Sequence, residues 1–151
     1  MIKTIQDFSE VSSVEKLSDI VSKQMYFIGA DNNPARINSA IKNALEKNKR
    51  AIFFVKINED GNYCAFAFGN TCSGLESGAD YFWINELYVE PEYRGKKIAT
   101  EIMTYIEDWS KRNGIKYIAT MTGESNEKAK GLYEKLGYDL SCPVWVDKVI
   151  K

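Results

Sequence analysis

The middle of the chain constrains the architecture more than any other stretch. Residues 51–57 (AIFFVKI) and 63–68 (YCAFAF) are built from aromatic and β-branched side chains, and Glu-Asp-Gly-Asn at 59–62 supplies a hairpin turn between them. A hairpin commits its two strands to antiparallel pairing. Residues 81–89 (YFWINELYV) make a third, more apolar strand that still carries Asn85 and Glu86. Beyond it the period changes. Ile98, Ile102, Tyr105, Ile106 and Trp109 share one helical face, which predicts a helix over about 95–112, and 115–121 (IKYIATM) reads as strand again. Joining strands through a helix calls for a parallel pair, so the sheet is expected to be mixed.

Upstream, residues 2–6 (IKTIQ) read as a short strand, and Ser12 with Glu15 has the spacing of a capping box ahead of a helix over about 13–25. Val14, Leu17, Val21 and Met25 are that helix's apolar stripe. Asn33 caps a second helix with Pro34 at its first position, where a missing N–H costs nothing, and Ile37, Ile41, Ala44 and Leu45 form its buried face. The stretch from Gly69 to Asp80, with glycines at 69, 74 and 78, reads as a mobile loop. Ala129, Leu132, Tyr133 and Leu136 mark a short helix capped by Ser125 and stopped by Gly137, and the tail from Tyr138 to Ile150 reads as strand broken around Pro143. The predicted fold is α/β of the α+β kind. A mixed, mostly antiparallel sheet is flanked by helices on both faces, in a single domain over 1–151.

Composition narrows the chemistry. The chain has no histidine, which removes Ser-His-Asp and Cys-His nucleophilic machinery and the ligand on which most zinc sites rely. Cys64, Cys72 and Cys142 are odd in number and include no C-x-x-C, so neither a disulfide framework nor a metal knuckle is indicated. Twenty Lys and Arg against 21 Asp and Glu leave a net charge of −1, too little to recruit nucleic acid or an anionic membrane. The amino terminus has acids where a signal peptide needs an apolar run, and no run reaches 18 apolar residues. The expectation is a cytoplasmic protein with no metal.

Two segments could carry chemistry. Glu90 to Thr100 (EPEYRGKKIAT) joins a strand to a helix, whose start offers free N–H groups and a partial positive charge. Arg94, Gly95, Lys96 and Lys97 add three cations and a residue that lets the backbone approach a ligand, which fits a polyphosphate; the competing reading is a solvated basic turn. Neither the Walker spacing nor the dinucleotide glycine fingerprint is present. Asn126 to Tyr138 (NEKAKGLYEKLGY) sets an amide and, two turns on, the Tyr133 phenol on one helical side. They would line a groove, or Tyr133 is a core residue whose hydroxyl reaches the rim.

From about Ile84 to Tyr138 the sequence resembles the acetyl-CoA-binding core of the GNAT superfamily of N-acetyltransferases. Arg94, Lys97 and Ala99 stand in the frame of the family's phosphate pattern, R/Q-x-x-G-x-G/A, after the run LYVEPEYRGK at 87–96. Asn126, Ala129, Tyr133, Lys135, Gly137 and Tyr138 match the second motif, N-x-x-A-x-x-L-Y-x-K-x-G-F/Y. The departure is Lys97, where the family has glycine.

The resemblance implies direct transfer of an acetyl group from acetyl-CoA, a co-substrate, to a primary amine of a small molecule or peptide. It implies a splayed strand pair opened by a bulge near Glu86. The backbone of Leu87, Tyr88 and Val89 would take the pantetheine arm. Arg94, Gly95, Lys96, Lys97, Ile98, Ala99 and Thr100 would cradle the pyrophosphate, with Asn126 and Tyr133 adding contacts from the second motif. An amine is protonated at neutral pH, so a base is needed, and Glu86 is the candidate because a carboxylate in an apolar strand is costly unless it faces a wet cleft. Tyr133 is the candidate acid for the leaving thiolate. Glu90 stands too close to the phosphate turn to be preferred. The acceptor would lie over residues 26–36 and 69–80, where Asp31, Glu76 and Asp80 would suit a cation. The Pro143–Lys151 strand would offer an edge for a homodimer. The rival reading is a CoA-binding sensor that kept the fold and lost turnover.

Overall fold

The computed structural model describes residues 1–144 and 146–150. The chain falls into two compact units, Met1–Met121 and Thr122–Lys151. The first holds β1 (Ile2–Ile5), α1 (Val14–Phe27), α2 (Pro34–Lys47), β2 (Ala51–Ile57), β3 (Tyr63–Gly74), β4 (Ala79–Val89), α3 (Ile98–Arg112) and β5 (Ile118–Thr120). The strands form one sheet in the order β1-β2-β3-β4-β5, antiparallel up to β4 and parallel between β4 and β5. The mixed, mostly antiparallel sheet is as expected.

Neighbouring residues of β2 show how the sheet is covered on both faces, since side chains alternate along a strand. Phe53 and Val55 join Leu17 and Ile20 of α1 and Ile37 and Ile41 of α2 in one buried cluster. Phe54 points the other way, with its ring 5.9 Å from Tyr105 and 5.4 Å from Trp109 of α3. Burying each such side chain is worth about 1.5–3 kcal/mol, which fixes both helical layers to the sheet.

Helix starts follow local chemistry, with shifts. Asn33 Oδ1 accepts from the N–H groups of Ala35 and Arg36, and Pro34 opens α2 as predicted. At α1 the cap is Ser13, whose hydroxyl accepts from the Lys16 N–H, while Ser12 pairs instead with the Tyr63 hydroxyl at 2.8 Å. The capping box belongs to Asp7 and Glu10, around a one-turn 3-10 helix at Phe8–Glu10.

Two other expectations are corrected. Most of the predicted loop from Gly69 to Asp80 is strand, because β3 runs to Gly74 and β4 starts at Ala79. Polar residues there alternate across a paired ladder, which a composition reading takes for loop. β5 keeps only the three residues that face β4. Among the described residues no helix is long and apolar enough to cross a membrane.

The second unit holds α4 (Glu127–Lys135). Its cap is Asn126, not Ser125: Asn126 Oδ1 accepts from the Ala129 N–H at 3.1 Å. The described residues from Tyr138 to Ile150 form no strand, and Val144, Val146, Val149 and Ile150 are exposed. An apolar alternation makes a strand only where a sheet edge pairs with it, and Pro143 has no N–H to offer. Trp145 and Lys151, which belonged to that predicted strand, lie outside the described residues.

Candidate active site

The site is built around an irregularity in β4. Phe68 of β3 faces Glu86, but the next residue, Gly69, faces Ile84, so Asn85 is an extra residue: a β-bulge. Gly69 makes this possible, since a Cβ there would collide with the Trp83 carbonyl oxygen and the Phe82 ring. Asn85 Oδ1 accepts from Asn70 Nδ2 at 2.8 Å, and Asn70 Oδ1 accepts from Asn48 Nδ2 at 2.9 Å, which pins the bulge from outside. Pairing with β5 covers only Phe82 to Ile84. Past the bulge no strand among the described residues pairs with the β5-side edge of β4, and this open edge is the splayed pair.

The ladder fixes which backbone groups that edge presents. The Glu90 N–H donates to Cys64 O of β3, so by alternation Glu86 and Tyr88 also direct their N–H groups to β3. Leu87 and Val89 direct theirs to the open edge. The Val89 carbonyl on that edge accepts from Arg94 Nε at 2.9 Å. Of the three backbones expected to take the pantetheine arm, Tyr88 turns its N–H into the sheet, and its side chain is buried.

Glu86 is half-buried, and Gln24 of α1 donates from Nε2 to Glu86 Oε2. Burial pushes the carboxyl above the ordinary carboxylate range, and the Gln24 hydrogen bond pulls it part of the way back. Gln24 is only 5% exposed, and its own Oε1 has no partner among the described residues. Sequence reading missed it, although a polar residue at the position after Leu17 and Ile20 on a buried stripe is the signal that could have found it. Glu90 is also buried, but Lys23 Nζ holds it at 2.7 Å and reaches Asp19 at 2.9 Å. The bond to Glu90 raises the Lys23 ammonium above its ordinary value. Glu90 is thus a tether between α1 and β4.

The turn after β4 carries the basic segment. Gly95 has φ +76°, and Lys97, the residue before α3, has φ +62° and ψ +13°. Lys97 is the only non-glycine residue with positive φ among the described residues. The backbone keeps the left-handed conformation that glycine adopts most easily, and the exposed side chain does not fill the turn. No side chain caps α3, so its first-turn N–H groups, at Ile98, Ala99 and Thr100, are available to an anion. Ile98 is buried and can contribute only its backbone. The Arg94 guanidinium lies 4.9 Å from the Phe27 ring centre and 5.7 Å from that of Tyr88, and Lys96 Nζ lies 5.0 Å from the Tyr93 ring.

A left-handed lysine is strained by about 1–2 kcal/mol, of which glycine's greater freedom when unfolded returns about 0.5–1. Lys97→Gly is therefore expected to raise stability by up to about 1 kcal/mol, seen as a melting rise of roughly 2–4 °C. A lower melting temperature would mean that the lysine side chain stabilises the turn.

Residues 14–138 match the model of the acetyltransferase (GNAT) family. The chain belongs to this family. A relative in Bacillus subtilis (strain 168), the uncharacterized N-acetyltransferase YhfO, is 27% identical over 99 residues, which cover 66% of this chain and 65% of that protein. The match thus spans less than two thirds of that relative's length. Two solved structures share the fold over 100% of this chain. One is the aminoglycoside acetyltransferase meta-AAC0020 from an uncultured soil metagenomic sample in complex with sisomicin (TM-score 0.84, 12% identity, 96% of that chain). The other is AAC(6')-Iy in complex with the bisubstrate analogue CoA-S-monomethyl-acetylneamine (TM-score 0.72, 15% identity, 99% of that chain).

The GNAT motifs divide between the two units. Glu86, Leu87 and Val89 on β4 and the segment from Arg94 to Thr100 that follows it all lie in the first unit. Asn126 and Tyr133 lie in the second. The Asn126 side-chain oxygen is committed to its own helix, so a helix-capping role explains that motif position. Tyr133 is buried and packs its ring 5.8 Å from Tyr138. The carboxylates expected to draw an acceptor are mostly answered already: Asp31 pairs with Arg36 at 3.1 Å and Asp80 with Arg50 at 3.5 Å. Glu76 lies in the exposed turn between β3 and β4.

Proposed function

We propose that this GNAT-family chain moves an acetyl group from acetyl-CoA directly to a primary amine. The observation that carries the reading is the open edge of β4 beyond its bulge, with a half-buried carboxylate at its head and an uncapped helix start at its end. Such an arrangement suits an elongated ligand with an anionic end. The N–H groups of Leu87 and Val89 would bind amide and thioester carbonyls. The α3 start, with Arg94, Gly95, Lys96 and Lys97 around it, would hold pyrophosphate; Thr100 adds a hydroxyl.

In this reading Glu86 takes a proton from the ammonium, leaving a lone pair on nitrogen. The C–N bond forms at the thioester carbonyl carbon as a β4 N–H stabilises the oxyanion. The C–S bond then breaks as Tyr133 gives the leaving sulfur a proton; the second proton of the nitrogen replaces the one Tyr133 gave, and the proton held by Glu86 passes to solvent. The role of Tyr133 rests on the second motif. The family match crosses from one unit into the other, which supports a single functional domain. Free thiols at Cys64, Cys72 and Cys142 support a reducing, cytoplasmic setting.

Ligand-linked melting tests the reading. A ligand that binds only the folded state at about 100 times its dissociation constant stabilises by ~2.7 kcal/mol. For a chain of this size that is a rise of about 5–10 °C with CoA or acetyl-CoA. ATP and NAD lack the pantetheine arm and should shift melting far less, and Arg94→Ala should shrink the CoA shift. Melting indifferent to saturating CoA and acetyl-CoA would overturn the proposal. A CoA-binding sensor that lost turnover would find its support in Lys97, the departure from the phosphate motif, but Lys97 keeps a glycine-like backbone. Thiol release that saturates with one amine would eliminate the sensor.

A further inference from the structure

A cavity of about 170 Å³ lies between α1, α2 and the sheet face they cover. Its walls include Met25, Ile41, Ala44, Phe53, Phe66 and Phe68, and its charged lining residues are Glu86 and Arg36. Arg36 is answered by Asp31, to which its Nε pairs at 3.1 Å. Glu86 is therefore the single carboxylate among the lining residues. Gln24 of α1, which is not one of the lining residues, donates to Glu86 Oε2 and orients that carboxylate.

These features define an acceptor. One carboxylate answers one ammonium, and a second ammonium would be set against phenylalanine and isoleucine walls with nothing to pair it. The walls instead reward hydrocarbon, each buried methylene tightening binding several-fold. An apolar cavity of roughly 150 Å³ is large enough to hold benzene. We infer that the acceptor is a primary monoamine whose amino group is joined by a short linker to a single ring or a short branched hydrocarbon chain. The apolar body fills the cavity and the amino group meets Glu86. This rests on the acetyl-transfer reading and deepens it: the ammonium gives up two protons, one leaving with sulfur and one to solvent, as C–N forms and C–S breaks. The aminoglycoside bound by one fold neighbour carries no weight here, because 12% identity shows the fold alone.

The test is acetyl-CoA-dependent thiol release with 2-phenylethylamine and isopentylamine against spermidine and kanamycin. The two apolar monoamines are expected to exceed the polycations in kcat/KM by about 100-fold or more, because the apolar walls reward hydrocarbon and offer no partner to a second charge. Ala44→Leu, which adds three carbons at the cavity wall, should raise KM for 2-phenylethylamine by about 10-fold while KM for acetyl-CoA stays put. Spermidine or kanamycin as the best acceptor would overturn the inference and leave acetyl transfer standing. So would an acetyl-CoA melting shift with no release by either monoamine, or an unchanged KM in a folded Ala44→Leu. Should that variant fail to fold, the ranking of amines by the parent protein decides. No melting shift and no release with any amine would overturn both readings together.

Discussion

At neutral pH, Glu86→Gln is expected to lower kcat/KM for the amine by about 10³-fold and, in the same protein, to raise the melting temperature. The rate effect follows from losing the base: glutamine has no lone pair basic enough to take a proton from an ammonium whose reference pKa is ~10.4, and general-base removal costs ~10²–10⁴ in rate. The stability effect has the opposite sign because the carboxyl is half-buried. The folded chain holds its proton to higher pH than the unfolded chain does, since burial raises this group more than Gln24 lowers it. The stability this lends is complete below the unfolded value and is lost as pH rises through the folded one. At pH 7 the ionised carboxylate is therefore a burden on the fold, and a neutral isostere that still accepts from Gln24 removes it. The parent's kcat/KM should fall on the acid side along a limb set by Glu86, above the ordinary carboxylate range, and the variant should lack that limb. An unchanged limb would give the base role to another group. A lower melting temperature at neutral pH would contradict the burial argument.

Tyr133→Phe is expected to lower kcat by about 10²-fold with little change in CoA affinity. A thiol has a reference pKa of ~8.5 and a phenol one of ~10, so proton donation to the leaving sulfur helps but is not indispensable, which puts the loss at the lower end of acid catalysis. The substitution keeps the ring that packs at 5.8 Å on Tyr138, so stability should change by no more than about 1 kcal/mol, the worth of one hydroxyl hydrogen bond. Steady-state kinetics with a melting control separate the two roles. A kcat equal to the parent's would return Tyr133 to the core.

Much of this protein was written in local sequence. The hairpin residues, the switch from period two to period 3.6, the Asn33-Pro34 helix start and the motifs at Arg94–Ala99 and Asn126–Tyr138 are local signals, because turns, caps and amphipathic faces depend on residues a few positions apart. They were enough to specify the mixed sheet and the place of Glu86. Pairing across the sheet was not local. Whether residues 69–80 form a loop or two paired strands depended on each other's backbone, and the tail's apolar alternation found no edge to pair with among the described residues. The same holds for the site. That Gly69 faces the bulge, that Gln24 from α1 donates to Glu86 and that Lys23 takes Glu90 out of contention are contacts between residues some 15 to 67 positions apart. Only tertiary structure decides such contacts, because they form when separate elements bury their apolar faces against one sheet and bring their polar exceptions together.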